Sequence, residues 1–373
     1  MTEQFCLAYL SPEPNREGHA SFTHVQEIVR NLVSEGWQVD LFCPTYQESK
    51  LPGVLPRLVG IAGVLWRAAL MPRPDVYYMR WHFAAWPLAF LAKIRNIPIV
   101  IEVNGPIEDL FIAWPITKIF KKPFAWLMET QLRWSDAIVA VTPGLTNLCR
   151  QICGQEKQVE TIPNGANVDL FHPDAKFENN RFTDILPKNF LIFFGTMAPW
   201  QGIRTILKAV EDTAWPDSMH LVFAGDGEER DVIEDAVRRV GHVHYLGRVP
   251  YDQLPAIISR AKGSLVCAEN IEGRASTGLA PLKLFESLAS GIPVIATKQP
   301  YQAEIISQGK CGIEVEPGDP SALAKVVARL ERSSDECDKW SRNARVVAVS
   351  GHSWLARAKQ TDAVLRHVLR LKE

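Results

Sequence analysis

The sequence predicts an α/β protein made of two doubly wound, Rossmann-like domains. Short apolar runs alternate with amphipathic stretches, the pattern of strand–helix–strand units around a parallel sheet. The alternation breaks once, in the polar stretch between Phe171 and Asn189, and then starts again. At about 150 residues per domain, 373 residues fit two domains or three. No repeat of about 20–50 residues is visible, so a solenoid is not expected.

In the first half, Phe5–Leu10 reads as a strand and Gly18–Ser21 as a small-residue turn. Phe22–Glu35 follows as a helix, with Val25, Ile28, Val29, Leu32 and Val33 at helical spacing. Gly36 stops it, and Gln38–Cys43 is a second strand. Further strands are expected at Asp75–Met79, Ile97–Val103 and Ala137–Val141. The second cycle begins with Phe190–Phe194. It continues through His220–Ala224, His244–Leu246, Gly263–Cys267, Pro293–Ala296 and Gly312–Val315. The tail Ser353–Leu371 carries Trp354, Ala358, Val364, Leu365 and Val368 at the spacing of an amphipathic helix. Residues 1–180 and 188–350 are therefore the expected domains. Facing each other, they would form a cleft at the carboxyl ends of their sheets, where doubly wound folds bind ligands.

Composition narrows the function. With 47% hydrophobic and 22% charged residues the chain is globular rather than disordered. Lys and Arg total 41 against 42 Asp and Glu, so no global basic field exists to hold nucleic acid. Seven cysteines without a Cys-x-x-Cys pair exclude a disulfide framework, and Cys149 and Cys153 read as two buried thiols. No Asp-x-Asp or His/Cys cluster suggests a metal, and neither metal nor cofactor is expected. The start of the chain lacks a signal-peptide pattern. The most apolar stretches, Leu58–Met71 and Trp81–Leu91, fall short of the ~20 residues that span a bilayer. A cytoplasmic protein is expected, with the inner face of a membrane as a possible peripheral station.

The segment richest in chemistry is Gly278-Leu-Ala-Pro-Leu-Lys-Leu-Phe-Glu286, leading to Gly291-Ile-Pro-Val-Ile-Ala296. Pro281 suits the first turn of a helix whose apolar side is Leu282, Phe285 and Leu288. Lys283 and Glu286 lie three apart on one face that the spacing predicts to be exposed. Backbone N–H groups at a helix start can hold a diphosphate, Lys283 can add a point charge, and Glu286 can accept two ribose hydroxyls. The alternative is a solvated i,i+3 ion pair with no such role.

This block resembles the nucleotide-sugar signature of retaining glycosyltransferases of family 4, which have the GT-B fold. The family places two glutamates eight positions apart ahead of Ala-x-Gly-x-Pro-Val. Glu286 matches the second, the ribose ligand, and Gly278 takes the place of the first. Pro-Leu-Lys-Leu-Phe-Glu is similar to a subgroup in which Lys283 is characteristic. Gly195-Thr-Met-Ala-Pro-Trp-Gln-Gly202 is similar to the family's Gly-Arg-x-x-x-x-Lys-Gly. There Arg and Lys clamp the pyrophosphate, and here those positions hold Thr196 and Gln201. Lys283 would partly replace the missing cations, with Arg204 a weaker candidate.

Other segments fall in the family's order. Ile162-Pro-Asn-Gly-Ala-Asn-Val-Asp-Leu-Phe171 resembles its segment at the end of the first domain. Ala224-Gly-Asp-Gly227 resembles a loop of the nucleotide domain, which makes Gly225 a donor contact. Tyr245-Leu-Gly-Arg-Val-Pro250 resembles the base-binding segment, with Arg248 and Val249 as candidates, and Leu284 joins the donor set. Glu304 falls where the family has a Glu. Glu13–His19, with Gly18, is similar to its Gly-rich phosphate loop. Ile101-Glu-Val-Asn-Gly-Pro106 is similar to Glu-Val-Asn-Ala-Pro in part of the family and makes Asn104 a catalytic-site candidate. There Glu102, within an apolar strand, is expected to be structural. Arg80 ends another strand. His19 and His24 begin a helix, where either could be merely exposed. His352-Ser-Trp354 fits the start of a last helix, 353–373, that crosses back to the first domain.

The resemblance implies sugar transfer from a UDP- or GDP-sugar to a hydroxyl with retained configuration, with Lys283 and Asn104 at the reacting centre. The acceptor would be a carbohydrate or a lipid-linked molecule in polysaccharide or glycolipid assembly. Lys118, Lys121 and Lys122, among Trp114, Phe120, Phe124 and Trp126, could rest on anionic headgroups or be a solvated face over core. A GT-B epimerase and a binding-only relative without catalysis remain alternatives, the latter favoured by Gly278, Thr196 and Gln201.

Overall fold

A computed structural model describes residues 4–13, 18–45, 53–176, 182–270 and 274–371. The chain divides into two compact units. The first comprises Met1–Pro163, Glu272–Gly278 and Leu355–Glu373; the second comprises Asn164–Ile271 and Leu279–Trp354.

Each unit contains one six-stranded sheet. In the first, β1 (Cys6–Leu10), β2 (Gln38–Phe42), β3 (Val76–Arg80), β4 (Ile99–Val103), β5 (Ala137–Ala140) and β6 (Val159–Thr161) take the order β2-β1-β3-β4-β5-β6. Every pairing is parallel. A parallel sheet covered on both faces needs apolar side chains at nearly every position. β3, β4 and β5 are accordingly buried throughout. Winding reverses between β1 and β3, the position at which doubly wound sheets open a crevice at their carboxyl ends.

In the second unit, β7 (Phe190–Thr196), β8 (His220–Asp226), β9 (Val243–Tyr245), β10 (Gly263–Val266), β11 (Val294–Thr297) and β12 (Gly312–Val315) take the order β12-β11-β10-β7-β8-β9. Alternation along β7 assigns its side chains to two cores. Phe190, Ile192 and Phe194 pack with Leu284, Phe285 and Leu288 of the helix Leu282–Ala289. Leu191 and Phe193 face the opposite core, with Ile203, Ile206 and Leu207 of the helix Ile203–Val210. Here the winding reverses between β7 and β10.

Two sequence expectations change. The division between units falls at Pro163 and Asn164, ahead of the polar stretch expected to hold it. The cause is packing. Ala166 exchanges backbone bonds of 2.9 and 3.0 Å with His352 and Trp354. Phe171 is wholly buried in the second core, and Arg345 donates to the carbonyls of Phe171 and Val168. Second, β6 was not anticipated, because Val-Glu-Thr is too short to show a period. Of the two thiols expected to be buried, Cys149 is buried and Cys153 is half-buried. The last helix, Trp354–Arg370, is tied to the first unit by a 2.6 Å bond from Trp37 Nε1 to Asp362 and by Arg366 donating to the Glu35 carbonyl. No helix among the described residues is long and apolar enough to cross a membrane.

Candidate functional site

In the second unit the chemistry gathers at the winding reversal. Leu282–Ala289 begins after Pro281, whose side chain has no acceptor, so the helix start has no side-chain cap. Helical periodicity sends Leu284, Phe285 and Leu288 into the core and turns Lys283 toward the end of the sheet. Its ammonium lies 3.8 Å above the centroid of the Phe193 ring and donates a 2.9 Å hydrogen bond to Gln201 Oε1. Lys283 is 7% exposed and Glu286, one turn on, 5%. Burial pushes the Lys283 pKa down to about 7, an effect that the nearby Cys267 and Glu286 offset only in part. An ammonium can only donate, so it fixes the orientation of the Gln201 amide. The carbonyl faces Lys283 and the NH2 group points the other way.

Glycines let the backbone come close around this amine. A Cβ on Gly202, where φ is +72°, would stand 2.5 Å from the Cys267 carbonyl oxygen, so the turn after β7 lies directly on the end of β10. A Cβ on Gly225, where φ is +145°, would stand 1.9 Å from the carbonyl oxygen of Gly195. Gly195 itself has φ +106°, and its missing side chain would meet the Lys283 ammonium at 3.9 Å. Beyond β11, Tyr301 adopts φ +70° and ψ −52° as Gln302 N–H bonds to the Pro300 carbonyl, a strained γ-turn of the kind that collects at functional sites.

The first unit has its own polar centre at the carboxyl ends of β1, β3 and β4. Arg80 and Glu102 are opposite each other in register, and Arg80 donates to Glu102 Oε1 at 3.1 Å. Arg80 also reaches Glu13 Oε2 at 3.0 Å. Glu102 Oε1 lies 2.9 Å from His24 Nε2 and accepts from Asn104 Nδ2. Glu102 Oε2 accepts from Tyr78 at 2.7 Å and Tyr9 at 3.2 Å. Burial alone would raise the Glu102 pKa, but His24, Arg80 and Asn104 outweigh it and hold the carboxyl well below the usual carboxylate range. Both tyrosines are held protonated by burial and by the Glu102 charge. A carboxylate only accepts, so the Asn104 amide must offer its NH2 to Glu102 and turn its carbonyl away. It is thus oriented in the opposite sense to Gln201.

Comparison with known proteins places these two units. Residues 176–347 match the family described as glycosyl transferases group 1, and residues 21–170 match glycosyltransferase family 4. Sucrose-phosphate synthase from Thermosynechococcus elongatus superposes with a TM-score of 0.78, at 18% identity, over 99% of this chain and 100% of its own. The chain is a GT-B, glycosyltransferase family 4-like protein. D-rhamnosyltransferase WbpZ of Pseudomonas aeruginosa is 23% identical over 71% of this chain and 67% of its own length. A phosphatidyl-myo-inositol mannosyltransferase of Mycobacterium leprae is 28% identical over 56% of this chain, which spans about half, 53%, of that relative.

Within this GT-B protein the anticipated site residues separate into groups. Lys283, Gln201, Gly195 and Gly225 come together. Lys283 and Glu286 are buried, against the expectation of an exposed face, because the helix Leu282–Ala289 is buried along its whole length. Thr196 ends β7, half-buried, in register with Asp226. Leu284, expected in the donor set, has its side chain wholly in the core, and its N–H bonds to the Pro281 carbonyl. Arg204 is drawn to Glu229 at 2.9 Å. Arg248 is mostly exposed beside Asp226 at 3.4 Å, and Val249 packs on the core. Glu304 is exposed in the first turn of Gln302–Gly309. Gly18 is exposed with φ +84°, and residues 14–17 of its loop lie outside the described residues. His24 is buried rather than exposed. Sequence reasoning missed Tyr9 and Tyr78 as partners of Glu102, and Glu13 as a partner of Arg80. The available signal was Tyr9, Tyr78, Arg80 and Glu102 on three largely apolar strands, beside Tyr77, whose hydroxyl turns to the Ala68 carbonyl instead.

Proposed function

We propose that this protein is a retaining hexosyltransferase that moves a sugar from a nucleotide-diphosphate sugar to an acceptor hydroxyl. One observation carries the reading: a buried lysine, with no ion pair to a carboxylate among the described residues, stands at the winding reversal of the second sheet with an amide turned so that its NH2 faces outward. A buried cation beside an outward amide donor is suited to a dianion, and a diphosphate leaving group is one.

In the step, the bond from the anomeric carbon to the diphosphate oxygen breaks. The acceptor oxygen bonds to the same face of that carbon, and the acceptor proton passes to the departing phosphate oxygen. Lys283 and the Gln201 NH2 group take up the charge developing on the diphosphate. Thr196, the Gly195 and Gly225 backbone and the start of the helix Leu282–Ala289 complete the donor cradle, and Glu286 receives the ribose. Arg248 and Val249 meet the base. Asn104, its amide fixed by Glu102, accepts a hydroxyl hydrogen of donor or acceptor. Neither metal nor cofactor enters the step, because Lys283 supplies the cation. The acceptor class is a carbohydrate or a lipid-linked molecule in polysaccharide or glycolipid assembly. A peripheral contact of Lys118–Lys122 with anionic membrane is part of this reading.

The test is incubation with a panel of UDP- and GDP-sugars and saccharide or lipid-linked acceptors. Nucleoside diphosphate is expected only when an acceptor is present, and NMR of the product should show the donor's anomeric configuration. An inverted product would remove retention. Donor binding without turnover across the panel would favour a binding-only protein.

A further inference from the structure

The first unit carries a helix whose outward face is the reverse of what a water-facing helix presents. Val54–Leu70 buries Ile61, Val64 and Ala68, yet the opposite side is apolar as well. Leu55, Leu58, Val59, Ala62, Trp66 and Leu70 recur at three- and four-residue spacing, so they form a single stripe along the helix. Leu55, Val59, Trp66 and Leu70 are each between 64% and 75% exposed. Water-facing helices place charge there. A second exposed set, Ile112, Ile116, Ile119, Phe120 and Trp126, lies on the chain from Glu108 to Trp134. The two segments are neighbours. Ile61 shares one small core with Leu110, Phe111, Trp114 and Met128, and the Arg57 guanidinium lies 3.8 Å over the Trp114 ring.

Charge says what covers this surface. From 53 to 74 and from 110 to 128 there is no Asp or Glu, while Arg57, Arg67, Arg73, Lys118, Lys121 and Lys122 all fall there. The three lysines are exposed beside Ile116, Ile119 and Phe120. A second protein would meet unbalanced positive charge on an apolar ground, whereas an anionic lipid surface matches both features at once. Ile61, Val64 and Ala68 hold the other face of the helix in the core, so it can meet a bilayer only by lying along its surface.

We propose that the outer face of Val54–Leu70, flanked by Lys118, Lys121 and Lys122, docks this protein on an anionic membrane. The aliphatic stripe and Trp66 enter the boundary between headgroups and acyl chains, and the cations stay at the phosphates. This extends the membrane part of the reading above and rests on that part alone, not on sugar transfer.

The experiment is co-sedimentation with phosphatidylcholine vesicles made with and without phosphatidylglycerol. It is run beside sugar transfer to a water-soluble acceptor, so that a failure of docking and a failure of catalysis are told apart. Wild-type protein is expected to sediment with the anionic vesicles and to be released by salt. At about one unit of lipid attraction per lysine, reversing Lys118, Lys121 and Lys122 to Glu should weaken binding about a hundredfold or more. Leu55→Glu with Val59→Glu should do the same with transfer to the soluble acceptor unchanged. Brominated lipid should quench tryptophan fluorescence in the wild type and less in Trp66→Phe. Equal sedimentation of wild type and both variants, or none by the wild type, overturns the proposal. So does a dimer in light scattering that Leu55→Glu with Val59→Glu dissociates, since the stripe would then belong to a second copy.

Discussion

Lys283 donates a 2.9 Å hydrogen bond to the side-chain carbonyl of Gln201. The bond gives each residue a use that neither has alone. Gln201 turns its NH2 outward as a neutral donor, and the ammonium keeps hydrogens to give because it has three N–H groups and this bond uses one. Where the family that the sequence resembles has an Arg and a Lys, this chain has Thr196 and Gln201, and a single buried amine with an oriented amide stands in that region.

Lys283→Met should separate catalysis from stability. Burying an ammonium without a carboxylate ligand is unfavourable, and methionine fills the same volume without charge. The thermal midpoint is expected to stay level or rise, while kcat/KM falls by about 10²–10³, the loss found when a donor to a developing anion is removed. Transfer should persist in EDTA. Melting curves beside steady-state release of nucleoside diphosphate check this. A less stable but fully active variant would make Lys283 structural.

Acidity gives a second handle on the same residue. With its pKa lowered to about 7 by burial, Lys283 in the free protein loses its charge as pH rises past neutrality. Donor affinity should therefore fall by up to about tenfold per unit above pH 7, and binding should take up a proton there. The sign for stability is opposite. The unfolded lysine keeps its proton to about pH 10.5, so between these values the unfolded state binds more protons and the folded state gains stability as pH rises. Calorimetry in two buffers of different ionisation enthalpy measures the uptake, and Lys283→Met should abolish it.

Gly225 and Gly241 form a matched pair for testing the proposed donor cradle, with Gly241 as the control. A Cβ at Gly225 would sit 1.9 Å from the Gly195 carbonyl oxygen on a backbone at φ +145°, whereas one at Gly241 would meet nothing within 4 Å. Gly225→Ala should cost about 2–3 kcal/mol and weaken donor binding, and Gly241→Ala should stay within about 0.5 kcal/mol. Urea midpoints for both proteins decide it. Equal midpoints would mean that the strands of the cradle separate without cost.

What the sequence disclosed follows the strength of each local signal. Phe190–Phe194 and Ile97–Val103 are apolar because a parallel sheet is buried on both faces, and such runs can be read without coordinates. Lys283 stood out in the sequence from its place between Pro281 and Glu286, but its burial was not legible. Spacing gives the face of a helix and says nothing of what lies over it. The full burial of Leu284 was hidden for the same reason. The Glu102 centre depends on side chains from β1, β3 and β4 and from the helix Ala20–Ser34, and no single segment contains it. The unit boundary at Pro163 rests on the pairing of Ala166 with Ser353, far away in sequence.

Glu102→Gln tests whether the first unit's polar centre is held by charge. The substitution keeps the shape and removes the anion that Arg80, His24 and Asn104 surround. Breaking a buried pair leaves the other charge uncompensated, so a cost of about 3–5 kcal/mol at pH 7 is expected. The folded carboxyl pKa lies below its unfolded value. Its stabilisation is therefore in place above the ordinary carboxylate range and lost as pH falls through and below it. The gap between wild type and variant should narrow as pH is lowered from about 7 to 3. The amide at residue 102 can also present either end to Asn104, so turnover should fall beyond what the lost stability explains, with the acceptor KM raised more than the donor Kd. Urea titrations at several pH values, with kinetics at a temperature where both proteins are folded, provide the measurement. A pH-independent gap would mean that the carboxyl is already protonated in the fold and that Asn104 is oriented by something else.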